Sequence, residues 1–76
     1  MTNLEWNEYT EWLENGQEGD WAENEGRTAE IVNMESGRYM LTDKDDDFVA
    51  VVDEAWRAMM YLQSGKVKIN GVTCVY

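Results

Sequence analysis

DDFVAVVDEAWRAMMYLQSG, residues 46–65, is the stretch whose reading decides the fold. Phe48, Val52, Ala55, Met59 and Leu62 fall within a narrow arc at 100° per residue, with Val51 and Trp56 beside it. Spacings of three and four mark an amphipathic helix, so the pattern predicts a helix over residues 46–63. The aspartates at its start suit the positive end of the helix dipole. Ser64-Gly65 closes it, because glycine takes the left-handed conformation that ends helices. Val49, Trp56 and Met60 form a second, flanking apolar stripe, while Arg57 and Tyr61 lie on the arc opposite the core face.

After this helix, residues 66–69 and 72–76 read as two strands around Asn70-Gly71. Asn-Gly between such runs signals a two-residue type I′ turn, which needs φ > 0 at both positions. That turn pairs Ile69 with Val72 and Val67 with Cys74 on one face, and Lys68 with Thr73 on the other. Before the helix, residues 27–34 (apolar at Ala29, Ile31, Val32 and Met34) and 38–42 read as a second hairpin around Glu35-Ser36-Gly37. Both of its faces carry apolar residues, so its register is ambiguous.

At the beginning of the chain, residues 3–15 read as a helix. Thr2-x-x-Glu5 has the capping-box form. Trp6, Tyr9, Trp12 and Leu13 fall on one side, Glu8, Glu11 and Glu14 on the other, and Asn15-Gly16 is the stop. Residues 16–26 are rich in turn formers, and Trp21 anchors either a loop or a short edge strand there. The expectation is one α+β domain over residues 1–76. Its order is α-β-β-α-β-β, an antiparallel sheet of about four strands (two hairpins) with two helices on one face.

The composition of the 76 residues narrows the function. A chain this short buries roughly 60% of the surface its unfolded form exposes. Its single cysteine allows no internal disulfide, and it has no histidine, the commonest general base and metal ligand. Sixteen acids against six bases give a net charge of −10. Phosphate binding needs clustered Lys and Arg, so direct nucleic-acid binding is disfavoured, as is an anionic membrane surface. No apolar run approaches the roughly 18 residues of a membrane span, and no signal-peptide core follows Met1, so a cytoplasmic protein is expected.

The charge is uneven. Residues 1–25 sum to −8, residues 26–42 to 0, residues 43–54 to −5 and residues 55–76 to +3. Such segments become electrostatically distinct faces if the fold keeps them apart.

Each cluster that suggests chemistry has a plain structural counterpart. Asp43, Asp45, Asp47 and Glu54 match positions 1, 3, 5 and 12 of a calcium-binding loop. Phe48, however, stands where the sharp turn needs glycine, so no metal or other cofactor is expected. Cys74, on the apolar face opposite Val67, reads as a core residue. Acid pairs are unavoidable by chance in so acidic a chain, so no enzyme activity is expected. The row Glu8, Glu11, Glu14, extended by Glu18 if the helix continues, approximates a line of phosphates, Asp43, Asp45, Asp46 and Asp47 form a second, and Asp20 is a further candidate for partner binding. The plain counterpart is a solvated surface. The aromatics at helical spacing read as core, or in part as interface.

In size, charge and lack of a catalytic constellation, the chain resembles small acidic inhibitors encoded by bacteriophages: anti-CRISPR proteins, anti-restriction proteins and uracil-DNA glycosylase inhibitors. Glu8, Glu11, Glu14, Asp20, Glu23, Glu25 and Asp43–Asp47 carry a likeness that is one of composition, not of a motif. It implies a DNA-mimicking inhibitor, in the host cytoplasm if phage-encoded, that occupies the nucleic-acid groove of a basic partner protein. The competing expectation is an adaptor subunit or homodimer that uses the stripe Val49, Trp56, Met60 or the free edges of the sheet.

Overall fold

The structure, a computed structural model, describes residues 11, 12, 15–33, 35 and 37–76. Four strands come first: β1 (Trp21–Asn24), β2 (Arg27–Asn33), β3 (Arg38–Thr42) and β4 (Phe48–Val52). A helix, α1 (Ala55–Ser64), and a final hairpin, β5 (Lys66–Ile69) and β6 (Val72–Val75), follow. The order among the described residues is therefore β-β-β-β-α-β-β, not α-β-β-α-β-β, with one helix element where two are expected. The expected helix over residues 3–15 lies mostly outside the described residues. Within it, Glu11, Trp12 and Asn15 have helical backbone, and the Gly16 N–H donates to the Trp12 carbonyl at 2.9 Å.

The helix expected over residues 46–63 divides into β4 and α1. Three of the five residues of β4 are valines, whose branched Cβ favours extended backbone. Ala50 and Val52 are buried and Val51 is exposed, a period of two. β4 pairs antiparallel with β3 through Tyr39↔Val52, Met40↔Val51, Leu41↔Ala50 and Thr42↔Phe48. A bulge at the last step lets Val49 face the core beside Ala50 while Phe48 turns outward. Phe48, expected in the core, is 65% exposed. Glu54 has extended backbone (φ −126, ψ 131) and is the N-cap of α1. The aspartates expected at the helix start instead fill the β3–β4 loop.

The four strands form a meander in the order β1-β2-β3-β4. Its inner face carries Ala29, Ile31, Tyr39, Leu41, Ala50 and Val52. α1 lies on that face through Ala58, Met59, Tyr61 and Leu62, and Val67 of β5 completes the core. Tyr61, expected on the exposed arc, is fully buried, and its hydroxyl donates to the Thr42 carbonyl at 2.8 Å. The apolar stripe expected on the helix is split, because Val49 belongs to β4 while Trp56 and Met60 belong to α1. Among the described residues the second layer is α1 and a separate two-stranded sheet, with Trp12 also packed against the core.

The C-terminal end of α1 is tied to the sheet. The Leu62 carbonyl accepts from Asn24 Nδ2 at 2.6 Å and from the Arg27 guanidinium at 3.0 Å. Asn24 and Arg27 face each other across β1 and β2, so one strand pair supplies both donors for an otherwise orphaned helix carbonyl. Arg27 also lies 6.0 Å from the centre of the Tyr61 ring. Gly65 (φ 70) then reverses the chain into β5. The β5–β6 hairpin has the expected register, with Asn70 (φ 52) and Gly71 (φ 83) both left-handed.

Candidate functional site: the acidic layer and its open face

In a meander, the first and third turns lie at the same end. The β1–β2 turn, Glu25-Gly26, therefore sits beside the β3–β4 loop, residues 43–47. A side chain at Gly26 would meet Lys44 Cβ at 2.9 Å. This topology brings Glu25, Asp43, Asp45, Asp46 and Asp47 together, joining the first acidic segment to the second. Asp43 organises the loop: its Oδ1 accepts from the Asp45 N–H at 2.9 Å and the Asp47 N–H at 3.1 Å. Its backbone N–H donates to the Asp47 carbonyl at 3.0 Å. Asp45, Asp46 and Asp47 are exposed.

Single carboxylate oxygens of Asp43, Asp45 and Asp47 lie within 4.8 Å of one another. Glu54, the fourth position of the calcium-loop pattern, is at the far end of β4. There it accepts from Trp56 Nε1 and pairs with Arg57 at 3.5 Å.

Of the other predicted acids, the described ones, Glu11, Glu18 and Asp20, lie at the opposite end of the sheet. Glu8 and Glu14 fall outside the described residues. Glu11 and Asp20 are exposed and border one shallow depression of about 320 Å³ with Trp12, Asn15 and Gly16. Asp20 Oδ2 accepts from the Gln17 N–H at 2.9 Å, and Glu18 is exposed in the intervening turn. Asp20 and Glu25 flank β1 and stand five residue steps apart, about 16 Å at roughly 3.3 Å each.

The outer face of the sheet lies between these ends. Its register defines two cross-strand rows. One runs Trp21, Glu30, Met40, Val51, and the other runs Glu23, Thr28, Thr42, Phe48. Trp21 is 62% exposed and Val51 47%. An open depression of about 570 Å³ lies over the β1–β3 part of these rows and reaches Asp46. No Lys or Arg lines it. Sequence reasoning counted Glu23 and Glu25 as charge but left Trp21 undecided and missed Glu30 and Met40. The available signal was the period of two in Trp21-x-Glu23 and Thr28-x-Glu30, on either side of a two-residue turn with positive φ at Glu25 (53) and Gly26 (85).

Two stretches of the chain carry opposite charge. Residues 15–54, which make the sheet and its turns, hold twelve acids and three bases. Residues 55–76, which make α1 and the last hairpin, hold Arg57, Lys66 and Lys68 and no acid. Cys74 is half-buried against the core. None of the described helices is long and apolar enough to cross a membrane. Comparison with known proteins gives no counterpart: no family model, curated protein or solved structure matches the chain.

Proposed function

We propose that this chain is a non-enzymatic inhibitor that docks its acidic layer on the basic surface of a nucleic-acid-handling protein, such as a host defence nuclease. The observation that carries this reading is the charge partition along the chain, −9 over residues 15–54, which form the sheet and its turns, against +3 over residues 55–76. Attraction to a basic cleft orients the acidic layer toward it and raises the association rate. Acidic clusters at both ends of the sheet flank an outer face on which Glu23 and Glu30 stand among Trp21, Met40 and Val51. The absence of histidine and the solvent exposure of most of the acids favour binding over catalysis.

The test is a pull-down from lysate with and without competing duplex DNA. It uses the native chain and the variant Asp45→Asn/Asp46→Asn/Asp47→Asn, which leaves the loop-organising Asp43 in place. Recovery of a DNA-binding protein that DNA displaces, and that the variant captures weakly, supports the reading. Capture that is indifferent to DNA, to salt and to the three charges refutes it.

A further inference from the structure

We infer that the open face of the four-stranded sheet is the seat of a basic amphipathic α-helix belonging to the partner. This rests on the inhibitor reading and names what the acidic layer grips. The face is about 14 Å wide, three strand spacings of roughly 4.8 Å, against a helix diameter of roughly 10–12 Å. Its floor offers Trp21, Met40 and Val51 to apolar side chains. Glu30 stands in the same row, directly opposite both Trp21 and Met40, and is half-buried with no cation beside it among the described residues. A carboxylate among apolar neighbours gains most from a cation that arrives with its own apolar stem, as Lys and Arg do. Glu23 and Asp46 border the same depression and extend the negative rim.

Charge selects this occupant over a second copy of the chain. A two-fold contact through this face would bring the acidic face that holds Glu23, Glu30 and Asp46 against an identical acidic face. Like charges juxtaposed in an apolar interface are strongly unfavourable.

The experiment is calorimetric titration of the full chain with an amphipathic leucine–lysine helical peptide, a leucine–glutamate peptide of the same pattern, and poly-lysine. The variants are Trp21→Ala, Glu30→Gln and Asp45→Asn/Asp46→Asn/Asp47→Asn, and sedimentation is run alongside. The expected result is binding of the leucine–lysine peptide, weakened at least about tenfold by Trp21→Ala and by Glu30→Gln. Poly-lysine binds more weakly and ignores Trp21→Ala, and the leucine–glutamate peptide does not bind. Binding of the leucine–lysine peptide that depends on the loop aspartates but not on Trp21 or Glu30 overturns this seat and leaves acidic docking standing. Binding of neither cationic probe overturns both. A concentration-dependent dimer broken by Met40→Lys would assign the face to a second copy.

Discussion

Replacing Tyr61 with Phe removes one oxygen from the centre of the molecule and leaves the ring in place. That oxygen donates to the Thr42 carbonyl and joins α1 to the end of β3, where the acidic loop begins. Loss of one such hydrogen bond, with its acceptor left unsatisfied, costs about 1–2 kcal/mol. A domain of this size has about 4–11 kcal/mol of stability in all. Each kcal/mol lowers Tm by roughly 4–8 °C at this length, so Tyr61→Phe should melt visibly earlier and still fold. Tyr61→Ala also empties a fully buried ring site, for a further cost of about 3–5 kcal/mol, and should sit at or beyond the limit of folding. Phe48→Ala is the contrast. Its ring is 65% exposed, so about a third of the roughly 200 Å² of an aromatic side chain is covered. At about 25 cal/mol per Å² this sets an upper bound of roughly 1.7 kcal/mol. Urea titration followed by circular dichroism measures all three. If Phe48→Ala proves as damaging as Tyr61→Ala, Phe48 is in the core, and the β3–β4 register with its bulge is wrong.

Two further outcomes follow from the same contacts. Burial pushes the Tyr61 phenol above its ordinary value of 10.0, the Asp43 carboxylate and the Tyr76 phenol push the same way, and Arg27 opposes them. The unfolded phenol therefore ionises first as pH rises through about 10, so stability should fall from there until the folded phenol also ionises, and Tyr61→Phe should flatten that part of a urea-midpoint profile. Gly65→Ala and Gly71→Ala separate conformational strain from crowding: both sites have positive φ, but a side chain at Gly65 meets the Tyr76 carbonyl whereas Gly71 is open. Thermal melts should show a loss of about 1 kcal/mol at Gly71 and clearly more at Gly65.

What the sequence disclosed depends on how local the deciding interaction is. The β5–β6 hairpin was legible because Asn70-Gly71 fixes turn type and register within six residues. The extents of β2 and β3 were legible from the turn chemistry around Gly37. The division of residues 46–63 was not. Phe48, Val52, Ala55, Met59 and Leu62 keep helical spacing across the junction of a strand and a helix, so periodicity alone runs through it. The exposed edge of β3 decides the matter by pairing with Phe48–Val52, and this pairing is not local in sequence. The acidity of the candidate site could be counted, but the meeting of Glu25 with Asp43–Asp47 belongs to the meander topology. The half-buried position of Glu30 between Trp21 and Met40 needs the register on both sides of β2.

The bulged outer strand β4 has one more consequence. Phe48–Val52 is a run of five residues without a charge, at the margin of the sheet, and no described strand pairs with its outer side. Such a margin is a template for strand addition and fibril growth. Here Asp45, Asp46 and Asp47 precede the run and Asp53 and Glu54 follow it. A second copy adding in either direction brings carboxylates against carboxylates at both ends of the run, so the acids act as gatekeepers against self-assembly. The charge proposed to draw a basic partner thus also opposes strand addition at this margin. Neutralising Asp45, Asp46 and Asp47 to weaken binding loosens the same restraint, so that variant should be handled dilute and at neutral pH.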